Sequence, residues 1–97
     1  MTTLRSPRVW NFRDLDCPET AVRVDSRTAW GNPFLIPRDG SREEVIIKYR
    51  HWVLTMQPAS FYKKLKGKDL VCWCAPLPCH GDVLLVLANR ERNESYE

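Results

Sequence analysis

Hydrophobic and polar positions divide this chain into short stretches of distinct period. Arg8-Val9-Trp10-Asn11-Phe12-Arg13 alternates polar with apolar residues, which predicts a strand suited to a sheet edge. Ala21-Val22-Arg23-Val24-Asp25 predicts a second strand, with Val22 and Val24 on one face. Ser41-Arg42-Glu43-Glu44 has the form of a capping box, a Ser at the N-cap and a Glu three residues on. Behind it Val45, Tyr49, Trp52, Val53 and Met56 recur at helical spacing, Ile46 widens the stripe, and the helix should stop near Gln57, before Pro58. Residues 59–66 predict a short second helix closed by Gly67. Leu70-Val71-Cys72-Trp73-Cys74 is apolar throughout, the pattern of a central strand covered on both faces. Val83-Leu84-Leu85-Val86-Leu87-Ala88, within residues 81–89, is too apolar for a surface helix.

The order strand, strand, helix, short helix, strand, helix predicts a small single-domain α/β fold over residues 1–97. It has about three strands, two to three helices and a parallel βαβ crossover between Val22 and Val71, right-handed as such connections are. Residues 1–7 and 90–97 carry no pattern and are expected to fray.

Composition narrows the class. At 97 residues there is room for one core. The net charge of +3 and pI near 8.8 suit an anionic partner, but fall short of the pI above about 9 of a nucleic-acid-binding domain. The basic residues are scattered, and Lys63 to Lys68 reads as the solvated face of a helix, so direct nucleic-acid binding is not favoured. No apolar leader and no span near the ~18 residues a bilayer requires is present, so no membrane association and a soluble, cytoplasmic protein are expected. In a reducing compartment the cysteines would be thiols or metal ligands. No pattern sets an oligomeric state.

The chemistry concentrates in two stretches. One is Asp25-Ser26-Arg27-Thr28-Ala29-Trp30-Gly31-Asn32-Pro33-Phe34, which mixes turn formers, rings and hydrogen-bonding side chains. The other is Cys72-Trp73-Cys74-Ala75-Pro76-Leu77-Pro78-Cys79-His80-Gly81-Asp82. In an open parallel sheet, ligands bind beyond the carboxyl ends of the strands, so the two should meet there. The helix starting near Gly81 would add its positive dipole end, and Gly81 a close approach of backbone to ligand.

Three chemistries compete. Cys72, Cys74, Cys79 and His80 could hold zinc, although Cys72 and Cys74 fall mid-strand rather than in a ligand turn, where buried cysteines act as small hydrophobes. Cys79 at a helix start, its thiol pKa lowered by the dipole, could be a nucleophile in a catalytic set with His80 and Asp82. His80 adjoins it and adjacent residues seldom face each other, so His51 or Asp82 would have to complete the machinery. The third is binding of a small anionic or nucleotide-like ligand. Arg27 would hold charge, Asp25, Asn32 and Asp82 would read polar edges, and Trp30, Phe34 or Trp73 would stack on a ring, with His80 as donor, acid or base. Each residue also has a plain structural role to set beside this: Arg27 as a surface ion pair, Trp52 as core, Asp82 as a carboxylate complementing the helix dipole.

Val24-Asp25-Ser26-Arg27-Thr28-Ala29-Trp30-Gly31-Asn32-Pro33-Phe34, Arg42-Glu43-Glu44-Val45, Tyr49-Arg50, Gly67 to Pro76 and Cys79-His80-Gly81-Asp82-Val83-Leu84 together resemble the bacterial and phage domain-of-unknown-function family numbered 4326. The likeness covers roughly residues 21–89. The Cys-x-Cys-Ala-Pro…Cys-His-Gly-Asp element is more weakly similar to the uncharacterised family numbered 488, with Gly81 where that family has arginine. The resemblance implies that the two stretches act together and that the context is nucleotide or nucleic-acid processing; it supplies no activity or cofactor. Ser26 departs from relatives that carry a basic residue there, which leaves Arg27 as the cation of its loop. The expectation is a domain that binds, with or without turnover, a small anionic or nucleotide-like ligand at the carboxyl edge of its sheet. A zinc-stabilised interaction module and a protein that only sequesters a nucleotide are the alternatives.

Overall fold

Two strands flank a third because only the central segment is apolar enough to be covered from both sides. The computed structural model describes residues 7–90. Its elements are β1 (Val9–Asn11), β2 (Val22–Arg23), α1 (Arg42–Met56), α2 (Ser60–Lys63), β3 (Leu70–Cys72) and α3 (His80–Asn89). The sheet order is β1-β3-β2, with both pairings parallel. Val9 and Val22 lie opposite Leu70, and Trp10 and Arg23 opposite Val71. The expected parallel crossover from Val22 to Val71 is therefore present, as is the edge placement of the first strand. The expected fraying concerns mainly residues 1–6 and 91–97, which lie outside the described residues.

Period-two alternation sorts the sheet into two faces. Val9, Val22, Leu70, Cys72 and Val24 meet the helices and belong to one core with Tyr49, Val53, Tyr62, Leu65, Cys79, Val83, Leu84, Leu87 and Ala88. Leu84 and Leu70 are wholly covered, and each such side chain stabilises the fold by about 2 kcal/mol. On the other face are Trp10, Val71 and Arg23, with the Arg8 guanidinium 3.9 Å from the Trp10 ring. α3 packs on β1 and β3, and α1 and α2 pack on α3. The apolar stripe of α1 thus docks on a helix. Val45, Tyr49 and Val53 are buried, Trp52 is half-buried, and Met56 is exposed because the stripe outruns α3.

The ends of the elements follow local chemistry. Ser41 Oγ accepts from Glu44 N and Glu44 Oε1 accepts from Ser41 N, which satisfies two backbone donors of α1. Gln57 caps the other end. β3 is shorter than its apolar run: it ends at Cys72, after which Trp73 turns outward, half exposed. No helix among the described residues is long and apolar enough to cross a membrane.

Candidate functional site

The residues following β2 and β3 bring the two chemically rich stretches together. Val24 N donates to Val71 O, so the chain leaves the sheet at Asp25 beside the exit of β3. Asp25 is buried and accepts a bidentate pair from Arg23, at 2.6 and 2.9 Å. The Arg23 guanidinium holds the Asp25 carboxyl below the usual carboxylate range against the opposing effect of burial. Arg23 also lies 4.8 Å from the Phe12 ring, which packs on Trp73 at 4.5 Å.

The loop that follows is tied down by its own polar groups. Thr28 Oγ1 donates to Asp25 O and the Trp30 indole N–H to Phe61 O. Tyr49 Oη donates to Trp30 O at 2.7 Å, and Asn32 Nδ2 donates to Val45 O while its Oδ1 accepts from Phe34 N. Gly31 is required here: a Cβ would lie 2.6 Å from Ser26 Cα and 2.9 Å from Asp25 O, both backbone.

Opposite stands the corner from β3 into α3. Cys79 is the N-cap of α3. Its Sγ accepts from Gly81 N, its carbonyl accepts from Asp82 N, and its own N–H donates to Asp82 Oδ2. The helix-start amides expected to face a ligand anion are thus engaged by the cap itself. Cys79 Sγ donates to Cys72 Sγ at 3.8 Å. That contact lowers the thiol pKa of Cys72 and raises that of Cys79, because the thiol proton is retained on Cys79. The expected lowering of the Cys79 thiol pKa is corrected accordingly: the Cys72 sulfur and burial outweigh the Gly81 amide that donates to Cys79 Sγ. His80, also buried, places Nε2 2.6 Å from Val24 O. A carbonyl can only accept, so Nε2 carries a proton and Nδ1 is the nitrogen with a lone pair to offer.

Between these walls lies a cavity of about 260 Å³. Of the residues expected at a ligand or catalytic site, Asp25, Asn32, Phe34, Trp73, Cys79 and His80 line it, with Cys72 and Cys74. Arg27 is exposed and does not line it, Trp30 is anchored behind it, and Asp82 is exposed and caps Cys79. Gly81 sits against Val9, where a Cβ would come within 3.2 Å of Val9 Cγ2 and 3.3 Å of Cys79 Sγ.

The family described as Domain of unknown function (DUF4326) matches residues 10–90. The chain belongs to that family. The DUF4326 match takes in Trp10 and Asn11 of β1 as well as the stretches on either side of the cavity. Among curated proteins the chain is 30% identical over 82 residues to an uncharacterised 12.4 kDa protein in the nrdA-td intergenic region of Enterobacteria phage T4, covering 78% of this chain and 74% of that one. It is also 35% identical over 66 residues to uncharacterised protein R718 of Acanthamoeba polyphaga mimivirus, covering 60% of this chain and 51% of that protein, about half its length. No solved structure matches.

Sequence reasoning overlooked one cation in this DUF4326 chain. Arg42, in the first turn of α1, lines the cavity and donates to Pro78 O at 3.1 Å. Its position directly after the Ser41 cap was the available signal, since the crossover delivers the start of α1 to the same edge as the strand ends. Burial pushes the Cys74 thiol up, the Cys72 sulfur adds to this, and Arg42 pulls the other way.

Proposed function

We propose that the chain binds a small nucleotide-like ligand in this cavity, ring inward and charged group toward Arg42. The observation that carries the reading is the cavity itself, placed beyond the carboxyl ends of two parallel strands and walled by both stretches. At about 260 Å³ it sits just below the ~300 Å³ where drug-sized sites begin, which suits a single ring system with its sugar. Phe34 and Trp73 offer ring faces, Asp25 a buried acceptor, and Arg42 the cation that Arg27 does not provide. His80 and the paired thiols stand ready for chemistry, so the reading covers turnover as well as holding. A cytoplasmic setting, where thiols stay reduced, is part of this proposal.

A thermal-shift panel of nucleosides, nucleoside monophosphates and phosphorylated sugars tests this. A ligand at 100 times its dissociation constant stabilises the native state by about 2.7 kcal/mol, so Tm should rise by several degrees for at least one phosphorylated nucleoside. Arg42→Ala should remove the preference for the phosphorylated form. A panel without any shift, or an unaltered preference in Arg42→Ala, contradicts the reading.

A further inference from the structure

The buried corner of the cavity brings three donor side chains together. We propose that Cys72, Cys79 and His80 form a three-ligand zinc site whose fourth position opens into the cavity. The two sulfurs and a ring nitrogen of His80 lie within 4.8 Å of one another, and all three residues are buried. Two thiolates each about 2.3 Å from a tetrahedral zinc stand about 3.8 Å apart, and the Cys72 and Cys79 sulfurs are 3.8 Å apart.

The surroundings are those of a metal centre. Ligating histidines donate their second ring N–H to a carboxylate or carbonyl, which fixes the tautomer and orients the ring. His80 does this to Val24 O and so leaves Nδ1 to coordinate. The Tyr49 ring, edge-on at 5.0 Å, holds the imidazole plane. Gly81 N–H already points at Cys79 Sγ at 3.2 Å, the kind of donor that stabilises a thiolate.

The mid-strand placement that spoke against zinc in the sequence is altered by the structure. β3 ends at Cys72, so this sulfur stands at the strand exit beside the turn. Cys74 falls outside the cluster, which leaves three protein ligands. Three ligands and an open position make a site of the catalytic type, where zinc polarises a bound oxygen. Cys72, Cys79 and His80 all line the cavity, so a ligand or a water in it would take that position.

The test is cobalt(II) titration of the reduced, chelator-treated protein, with cysteine mapping alongside. A thiolate-to-cobalt charge-transfer band should saturate at about one equivalent with tetrahedral ligand-field absorption, and zinc should displace it. Zinc should slow alkylation of Cys72 and Cys79 well below its rate in the folded zinc-free protein, while Cys17 and Cys74 react equally with and without it. Cys74→Ser should keep the spectrum, and Cys72→Ser should lose more than the 10–100-fold in affinity typical of altering a ligand's supporting contact. If Cys72→Ser does not fold, the wild-type spectrum and the protection pattern decide. Absence of stoichiometric uptake by the folded wild-type chain, loss of the band in Cys74→Ser, or a Cys72–Cys79 disulfide that persists with zinc present would overturn the proposal. No step uses a nucleotide, so its failure is distinct from failure of the ligand reading.

Discussion

In the loop from Asp25 to Phe34 the polar groups hold the loop itself, whereas at the corner from Cys72 to His80 several remain turned toward the cavity. Thr28, Asn32 and the Trp30 indole each bond to backbone, and Tyr49 reaches in to bind Trp30 O. What the loop presents is mainly shape: a ring at Phe34 and one buried carboxylate at Asp25. The corner is built the other way. Asp82 and backbone groups fix Cys79, its sulfur meets Cys72 Sγ, and Cys72, Cys79 and His80 all line the cavity. In the proposed reading the corner supplies the chemistry and the loop sets the shape of the space.

The largest expected break of this contrast is Gly31→Ala. A Cβ there meets backbone that cannot move aside, so chemical denaturation should show a loss of about 3 kcal/mol, as for an overpacked core. It should also abolish ligand-induced stabilisation while leaving cysteine reactivity at the corner unchanged in the folded fraction. Tyr49→Phe is next. It leaves the partly buried Trp30 carbonyl without its donor, which should cost about 1 kcal/mol in the same measurement.

Asp82→Ala sharpens the other side. Losing the acceptor for Cys79 N should cost about 1 kcal/mol. Because Asp82 caps and does not line the cavity, the Tm increment given by a ligand should stay unchanged. Loss of that increment would restore Asp82 to the site.

The smallest effect concerns acid. Arg23 lowers the folded-state pKa of Asp25, so this pair contributes its full stability above the ordinary carboxylate pKa of about 4 and loses it as pH falls through the lower folded value. Denaturation midpoints followed from pH 5 to pH 2 should fall less steeply in Asp25→Asn than in the wild type. Equal slopes would remove Asp25 from the acid response.

The fold was largely legible because its signals are periodic. The alternation at Val22 and Val24, the helical stripe from Val45 to Val53 and the apolar run at Leu70 each translate into burial by geometry alone. The meeting of the two stretches was also legible, since parallel strands direct their exits to one edge. What pattern could not reveal was the use of each polar group. Cysteine is not among the usual N-cap residues, so the self-capping of α3 by Cys79 and Asp82 was hidden, and with it the engagement of the helix amides. Arg27 was singled out as the cation and Arg42 was not; the packing of α1 brings Arg42 to Pro78, while Arg27 stands in solvent. Trp30 was expected to stack on a ligand, but its indole N–H reaches Phe61 O across 31 positions of sequence, a contact no local pattern announces.

The central claim is that one cavity, walled by both stretches, receives a small nucleotide-like ligand. Amide chemical-shift mapping of the isotopically labelled chain, titrated in turn with the four ribonucleoside monophosphates, tests it most directly. At least one nucleotide should produce saturable shifts that cluster on Asp25, Ser26, Asn32, Phe34 and Arg42 and on Cys72 to His80, with the exposed face of α1 around His51 and Met56 undisturbed. Shifts confined to that outer face, or to only one of the two stretches, would contradict it.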